Sequence, residues 1–198
     1  MTPVVDRTMR AYYDRCAPGY DDVWLGAGHL AHLDRPGWDE AVAELFAAVE
    51  RLAPANTLDV ACGTGFLTRH LPGDVTGLDQ SEPMLAIARR RMPGARVVQG
   101  EAVPLPFTDG EFDRVFTAHF YGHLQPGERE RFLAEARRVA PELVVVDSAG
   151  SGARWEDREL EDGSRHPVYK RWFTGPELAA ELGGDVLIDG RWFVAVRA

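Results

Sequence analysis

The chain has few cysteines and no long apolar runs. Its two cysteines, Cys16 and Cys62, follow no pairing pattern, which is typical of cytoplasmic thiols. No apolar run approaches the roughly 20 residues of a membrane helix, and the N-terminus lacks the apolar core of a signal peptide. These absences predict a cytoplasmic protein without a stable membrane anchor.

Basic residues are also fewer than acidic ones. The 198 residues include 22 basic and 31 acidic ones, a formal net charge of -9, and Lys170 is the only lysine. A nucleic-acid-binding surface normally carries a basic patch, so we expect no nucleic-acid partner. Because 45% of the residues are hydrophobic, the chain can bury the core of one domain, predicted over residues 1–198. The oligomeric state is left open.

The most informative stretch is residues 57–71. An apolar run with one acid, Leu58–Val60, leads into Gly63 and Gly65, and apolar residues then recur at helical spacing. A strand, a glycine turn and a helix begin a Rossmann-like unit, which binds small molecules at the carboxyl ends of its strands. The pattern predicts an α/β fold with a doubly wound, mostly parallel sheet.

Two acids beside this turn favour a ligand without phosphates. Asp79 ends the second apolar run, at a distance that suits hydrogen bonds to a ribose. Asp59 lies just before the turn and would repel a pyrophosphate but attract an ammonium or sulfonium group. Thr68 occupies the third glycine position of a dinucleotide motif, which disfavours an NAD-dependent oxidoreductase. S-adenosylmethionine, a nucleoside with a cationic tail, fits these residues.

Three spaced motifs resemble those of the class I S-adenosylmethionine-dependent methyltransferases: residues 58–65, 77–84 and 105–115. The similarity runs from about Tyr12 to Val146 and is to the small-molecule branch that includes the ubiquinone and menaquinone methyltransferases. Ala61 departs from the pattern, since many members have glycine there. The resemblance implies a seven-stranded sheet with an antiparallel C-terminal hairpin, which the turn signal Asp189–Gly190 also favours.

The same resemblance implies where S-adenosylmethionine binds and its product S-adenosylhomocysteine is released. Asp79 would hold the ribose hydroxyls and Asp59 would favour the amino group, directly or through water. Gly63 and Gly65 would let the backbone approach the methionine part. Glu101 would lie at the adenine edge, although such a residue is also common as a surface loop acid. The other implied cofactor contacts are Tyr20, Ala61, Gln80, Met84, Ala102 and Ala118.

Two segments are expected near the binding face. Residues 1–37 contain a short helix with Tyr12, Tyr13 and Tyr20, which resembles a lid over the cofactor; the alternative is a helix packed on the edge of the core. Aromatic rings near a sulfonium would add a cation–π attraction. Residues 149–171 are polar, and we expect a long irregular loop there.

The implied reaction is methyl transfer to a small-molecule acceptor, most simply to a hydroxyl. His119, at the end of the predicted fourth strand, is the candidate base. The alternative for His119 is a histidine at the core edge bound by a backbone carbonyl, and for His123 we expect a structural role. Without a matching third ligand, the two histidines predict no metal site. A protein that binds the cofactor without catalysis stays open, because the motifs describe binding alone.

Overall fold

The computed structural model describes residues 7–27, 34–160 and 163–198. Parts of two predicted segments lie outside these ranges, namely residues 1–6 and 28–33 of the segment 1–37 and residues 161–162 of the segment 149–171.

A seven-stranded sheet forms the centre of the molecule. Its strands are β1 (Ala55–Val60), β2 (Gly73–Asp79), β3 (Arg96–Gln99), β4 (Arg114–Ala118), β5 (Glu142–Ser148), β8 (Asp185–Asp189) and β9 (Phe193–Arg197). The order across the sheet is β3-β2-β1-β4-β5-β9-β8, with β1 to β5 parallel and β9 antiparallel to both of its neighbours. The predicted fold class and the closing antiparallel hairpin are therefore confirmed.

Six α-helices accompany the strands in the described ranges: α1 (Arg7–Cys16), α2 (Asp22–Leu25), α3 (Trp38–Glu50), α4 (Glu82–Arg91), α5 (Pro126–Val139) and α6 (Gly175–Leu182). Local signals set their ends. Ser81 accepts a hydrogen bond from the Met84 amide at the start of α4, and Thr174 forms a capping box with Glu177 at the start of α6. No helix among the described residues is long and apolar enough to cross a membrane.

Apolar clusters cover both faces of the sheet. In β5, Val145 belongs to the cluster that includes Phe132 of α5, whereas Val144 and Val146 belong to the cluster that includes Leu45 of α3. Side chains alternate between the two faces of a strand, so a strand covered on both sides is apolar throughout. This explains the continuous apolar run that marks β5 in the sequence.

The strand order creates a crevice. From β1 the chain moves outward through β2 and β3, and then returns to the other side of β1 to form β4 and β5. Doubly wound sheets bind ligands where the order reverses, outside the carboxyl ends of the strands. Here that point lies between β1 and β4.

Two local predictions are wrong. The helix expected after the glycine turn is only a single 3-10 turn, Thr68–His70, because Pro72 follows closely and Leu71 is already extended. The predicted irregular loop 149–171 contains an antiparallel hairpin of β6 (Ala153–Glu159) and β7 (Arg165–Arg171). Its cross-strand pairs, such as Trp155 opposite Tyr169, stabilise it without an apolar pattern that could reveal it in the sequence.

Candidate active site

A cavity lies at the carboxyl ends of β1, β2 and β4. It is lined by ten of the twelve predicted site residues: Tyr20, Ala61, Gly63, Asp79, Gln80, Met84, Glu101, Ala102, Ala118 and His119. They reach it from the N-terminal segment, the glycine turn, the end of β2, the start of α4, the loop after β3 and the end of β4. We call this space the cofactor cavity.

Backbone amides hold Asp79 in place at this cavity. Its Oδ2 accepts from the Gly63 amide at 2.9 Å, and its Oδ1 accepts from the Ser81 amide at 2.8 Å. Burial raises the pKa of the carboxyl, while the bonds from these amides lower it. The glycine turn and the acid are therefore one unit, with lone pairs left to bind hydroxyl groups.

The backbone of the turn is tightly shaped. Gly63 has φ 54°, and Ala61 adopts the left-handed region with φ 62°. That conformation costs a non-glycine residue on the order of 1–2 kcal/mol, so the surrounding packing must hold Ala61 there. Alanine thus keeps the shape that many similar sequences build with glycine.

The structure places Asp59 and Gly65 outside the lining of the cavity, which disfavours a direct contact and leaves the predicted contact of Asp59 through water. Asp59 is 2% exposed and its Oδ2 accepts from Thr68 Oγ1 at 2.6 Å, while Oδ1 has no hydrogen-bond partner among the described residues. Strand alternation turns it away from the side on which Val60 meets the cavity. Burial raises the pKa of Asp59 to about 8. A Cβ on Gly65 would lie 2.7 Å from Met92 Cε, so this glycine permits packing beside α4.

The described part of the N-terminal segment packs over the cavity. Tyr13 and Tyr20 line it, with ring centroids 6.0 Å apart. Burial raises the pKa of both phenols, so both are neutral at physiological pH. Both rings line the cavity, and a role of this segment as a lid over the cofactor stays a prediction.

An ion pair holds this segment against the rest of the domain. No local sequence pattern predicts that pair. Arg91, at the end of α4, pairs with Asp21 and donates to the Thr64 carbonyl at 2.8 Å. Thr64 Oγ1 in turn donates to Asp21 Oδ1 at 2.6 Å. We call these three residues the latch, since they join the segment to both the glycine turn and α4.

His119 follows β4 in a left-handed conformation, φ 55°. Its Nδ1 lies 3.3 Å from Ser148 Oγ, so its partner is a side-chain hydroxyl and not the backbone carbonyl of the alternative interpretation. Trp24 and Phe193 contact the ring edge to face. Burial lowers its pKa to about 4, with the nearby Asp147 opposing that shift. The imidazole is therefore neutral at pH 7 and a weaker base than predicted.

His123 is held more firmly. Its Nδ1 donates to the Tyr169 carbonyl at 2.7 Å, which leaves Nε2 as the acceptor nitrogen. Burial, together with the charges of Lys170 and Arg158, lowers its pKa to about 3. This bond joins the 3-10 turn Tyr121–His123 to β7, in line with the predicted structural role, which stays a prediction.

A second cavity of about 1060 Å³, here called the outer chamber, adjoins the first. Four residues line both spaces, and they form a shared wall: Tyr13, Tyr20, His119 and His123. Two adjoining spaces of this kind suit two small molecules that meet at the wall. Across the described ranges, no group of three His, Cys, Asp or Glu side chains is arranged to hold a metal ion.

A family match and a fold match show what the chain is similar to. Residues 58–142 match the family model described as "Methyltransferase domain". The chain superposes on the structure titled "DhpI-SAH complex structure" with a TM-score of 0.76 and 26% identity, over 96% of this chain and 94% of that one. The predicted resemblance to the class I S-adenosylmethionine-dependent methyltransferases is confirmed by this match and by the shared fold.

The chain is similar to the demethylmenaquinone methyltransferase of Thermotoga maritima. The two are 38% identical over 143 aligned residues, and the aligned region covers 68% of this chain and 59% of that protein. The chain is 40% identical over 147 residues to the dTDP-3-amino-3,6-dideoxy-alpha-D-glucopyranose N,N-dimethyltransferase of Streptomyces fradiae, over 68% and 53%. The chain thus spans somewhat more than half the length of these relatives. Both are methyltransferases, which does not favour the NAD-dependent alternative.

Proposed function

We propose that the protein binds S-adenosylmethionine and transfers its methyl group to a hydroxyl of a small-molecule acceptor. The observation that carries the proposal is the shared wall: a cofactor-type cavity built on Asp79 meets a second chamber at two tyrosines and two histidines. Positioning two reactants at such a boundary is the main contribution that a methyltransferase needs to make.

The residues present fit the cofactor. Asp79 faces the cavity with both oxygens oriented by amides, as a ribose requires, and a Cβ on Gly63 would come no closer than 3.8 Å to Tyr20, its nearest neighbour. Met84 offers an apolar surface, and Glu101 an acceptor, for the adenine. When bound, the cofactor supplies an already activated methyl group, so the protein need not generate the electrophile.

The histidines limit the acceptor. His119 and His123 are neutral at pH 7 because burial lowers the pKa values to about 4 and about 3. Either ring can accept a proton, but each is a weak base. The site therefore suits an acidic hydroxyl that ionises with little help, such as a phenol. Its proton passes to His119 or to water as the oxygen takes the methyl group.

Calorimetry with S-adenosylhomocysteine and with NAD⁺, followed by transfer of a labelled methyl group to a panel of phenols, alcohols and amines, tests the proposal. We expect binding of S-adenosylhomocysteine and not of NAD⁺, and labelling of hydroxyl acceptors. An absence of S-adenosylhomocysteine binding would overturn the cofactor assignment. Labelling of amines alone would overturn the hydroxyl acceptor, and binding without any transfer would favour a noncatalytic binding protein.

A further inference from the structure

The outer chamber concentrates positive charge in an acidic protein. Its lining includes four basic residues, Arg15, Arg158, Lys170 and Arg191, and one acidic residue, Glu159. Glu159 is paired with Arg165, which is not part of the lining, at 2.8 Å. The acids that pair with Lys170 and Arg158, namely Asp147 and Glu156, also lie outside the lining, so a ligand in the chamber would meet mainly positive side chains of a chain whose net charge is -9.

Lys170 is the most deeply placed of these cations. It is 4% exposed, and its Nζ lies 2.5 Å from Asp147 Oδ1. The Asp147 carboxylate also accepts from the amides of Gly122 and Ser148, each at 2.7 Å, so its charge is divided among three donors. An ammonium has three N–H donors and Asp147 occupies one. Lys170 is thus held at the chamber by Asp147, and among the described residues its other two N–H donors have no hydrogen-bond partner.

Arg158 and Arg191 differ in how far their charge is already balanced. Arg158 donates to Glu156 Oε2 from Nη2 at 3.1 Å and from Nε at 3.3 Å, which balances most of its charge. Arg191 is exposed and its guanidinium lies over the Trp192 ring, 5.4 Å from the centroid. Within the described residues Arg191 forms no ion pair, so its charge is available to a ligand.

The remaining walls of the chamber are aromatic. Trp24 and Phe193 lie beside His119, and Trp38, Trp172 and Trp192 complete the lining. Flat apolar surfaces of this kind favour a flat apolar ligand body. Positive charge and aromatic walls in one space together select a ligand with an aromatic body and an anionic end.

We propose that the methyl acceptor is a small aromatic anion, whose carboxylate or phosphate group is bound by Lys170 with help from Arg191. Its ring would pack against the tryptophans, and its hydroxyl would face the shared wall. This inference depends on the proposed function and narrows it to one class of acceptor. A buried lysine and an exposed arginine are both able to bind a carboxylate or a phosphate, so the experiment separates these two groups.

Matched ligands test the inference. With saturating S-adenosylhomocysteine, we would titrate benzoate, phenyl phosphate and the uncharged benzyl alcohol into the wild type and three variants. Arg191→Gln and Lys170→Gln remove cations from the chamber, and Arg131→Gln is the matched control because Arg131 is exposed on α5 and lines neither cavity. Arg191→Gln keeps the test valid if Lys170→Gln, which leaves the buried Asp147 unpaired, fails to fold.

We expect at least one of the two anions to bind about 10-fold or more tightly than benzyl alcohol, with an affinity that falls as salt is added. Arg191→Gln should weaken that anion about 3- to 10-fold, Lys170→Gln more, and Arg131→Gln not at all. The stronger anion identifies the group as carboxylate or phosphate. Equal binding of benzyl alcohol and both anions, or anion binding unaffected by Arg191→Gln, would overturn the inference. Failure of S-adenosylhomocysteine to bind would instead overturn the proposed function.

Discussion

Asp79 is the residue whose loss should most directly weaken cofactor binding. Asp79→Asn removes the negative charge that would accept the ribose hydroxyls and also one acceptor for the amides of Gly63 and Ser81. Loss of a charge-assisted pair costs about 2–3 kcal/mol, so calorimetry should show affinity for S-adenosylhomocysteine reduced about 30- to 100-fold. Glu82→Gln is the control, since Glu82 lies nearby, pairs with Arg89 and does not line the cavity. An unchanged affinity in folded Asp79→Asn would contradict the ribose assignment.

His119 is the residue to test for proton transfer. General-base help is worth about 10²–10⁴-fold, and the burial-lowered pKa of this imidazole places its effect near the lower end. We expect His119→Ala to slow single-turnover transfer about 10²-fold without weakening cofactor affinity. If His119→Ala transfers the methyl group at the wild-type rate, His119 is not the base and catalysis would rest on positioning of the reactants alone.

His123→Ala should act mainly on stability. The change leaves the Tyr169 carbonyl without its 2.7 Å donor, which costs about 1–3 kcal/mol and lowers the melting temperature. For the transfer rate, His70→Ala serves as the control for both histidine variants, since His70 lines neither cavity. If His123→Ala keeps a normal melting temperature but loses methyl transfer, His123 and not His119 would be the candidate base.

At the scale of elements, we expect the latch to control how often the N-terminal segment opens. Arg91→Gln removes the ion pair to Asp21 and the bond to Thr64, so residues 7–27 should open more often. Hydrogen exchange should be faster there in the variant, and binding of S-adenosylhomocysteine should slow it in the wild type. Arg90→Gln, the exposed neighbour, should leave exchange unchanged. Equal exchange with and without ligand would identify the segment as simple packing.

For the whole molecule, the half-buried histidines His119 and His123 make stability depend on acid pH. The pKa values of His119 and His123 are about 4 and about 3 in the folded state against 6.5 ordinarily. Between these values the unfolded state binds more protons, so stability falls as pH drops below 6.5. We expect the melting temperature to fall on the order of 5 °C between pH 6.5 and pH 4. The neighbouring Asp147 extends this loss to pH values below 3.8, because, although burial raises its pKa, the Lys170 charge lowers it. A flat melting temperature over this range would contradict burial of neutral rings.

Asp59 should have the opposite effect on the alkaline side. Its pKa is about 8 in the folded state against 3.8 ordinarily. Burial and the charge of Asp79 raise the pKa, and together they outweigh the hydrogen bond from Thr68, which lowers it. The folded state therefore binds more protons, and stability falls as pH rises towards 8. Asp59→Asn should raise the melting temperature at pH 8 relative to the wild type, and by less at pH 5. A loss of stability at pH 8 would show that Asp59 needs its charge.

Local chemistry allowed the sequence to predict much of this molecule. The glycine turn and the acid ending β2 are set by short-range patterns, and the apolar run of β5 follows from burial on both faces. For that reason the fold class could be inferred from the sequence alone, and ten of the twelve predicted site residues line the cofactor cavity.

The tertiary structure decided what depends on contacts between distant residues. Arg91 and Asp21 are 70 positions apart, and Lys170 and Asp147 are 23 apart, so no local spacing reveals either ion pair. The side of β1 that Asp59 faces, and the burial that weakens His119 as a base, depend on what packs around each strand. The hairpin β6–β7 forms through pairing of polar strands, which carries no apolar signal, and it brings Lys170 to the outer chamber. Sequence thus set the cofactor chemistry, and packing set the environment of the acceptor.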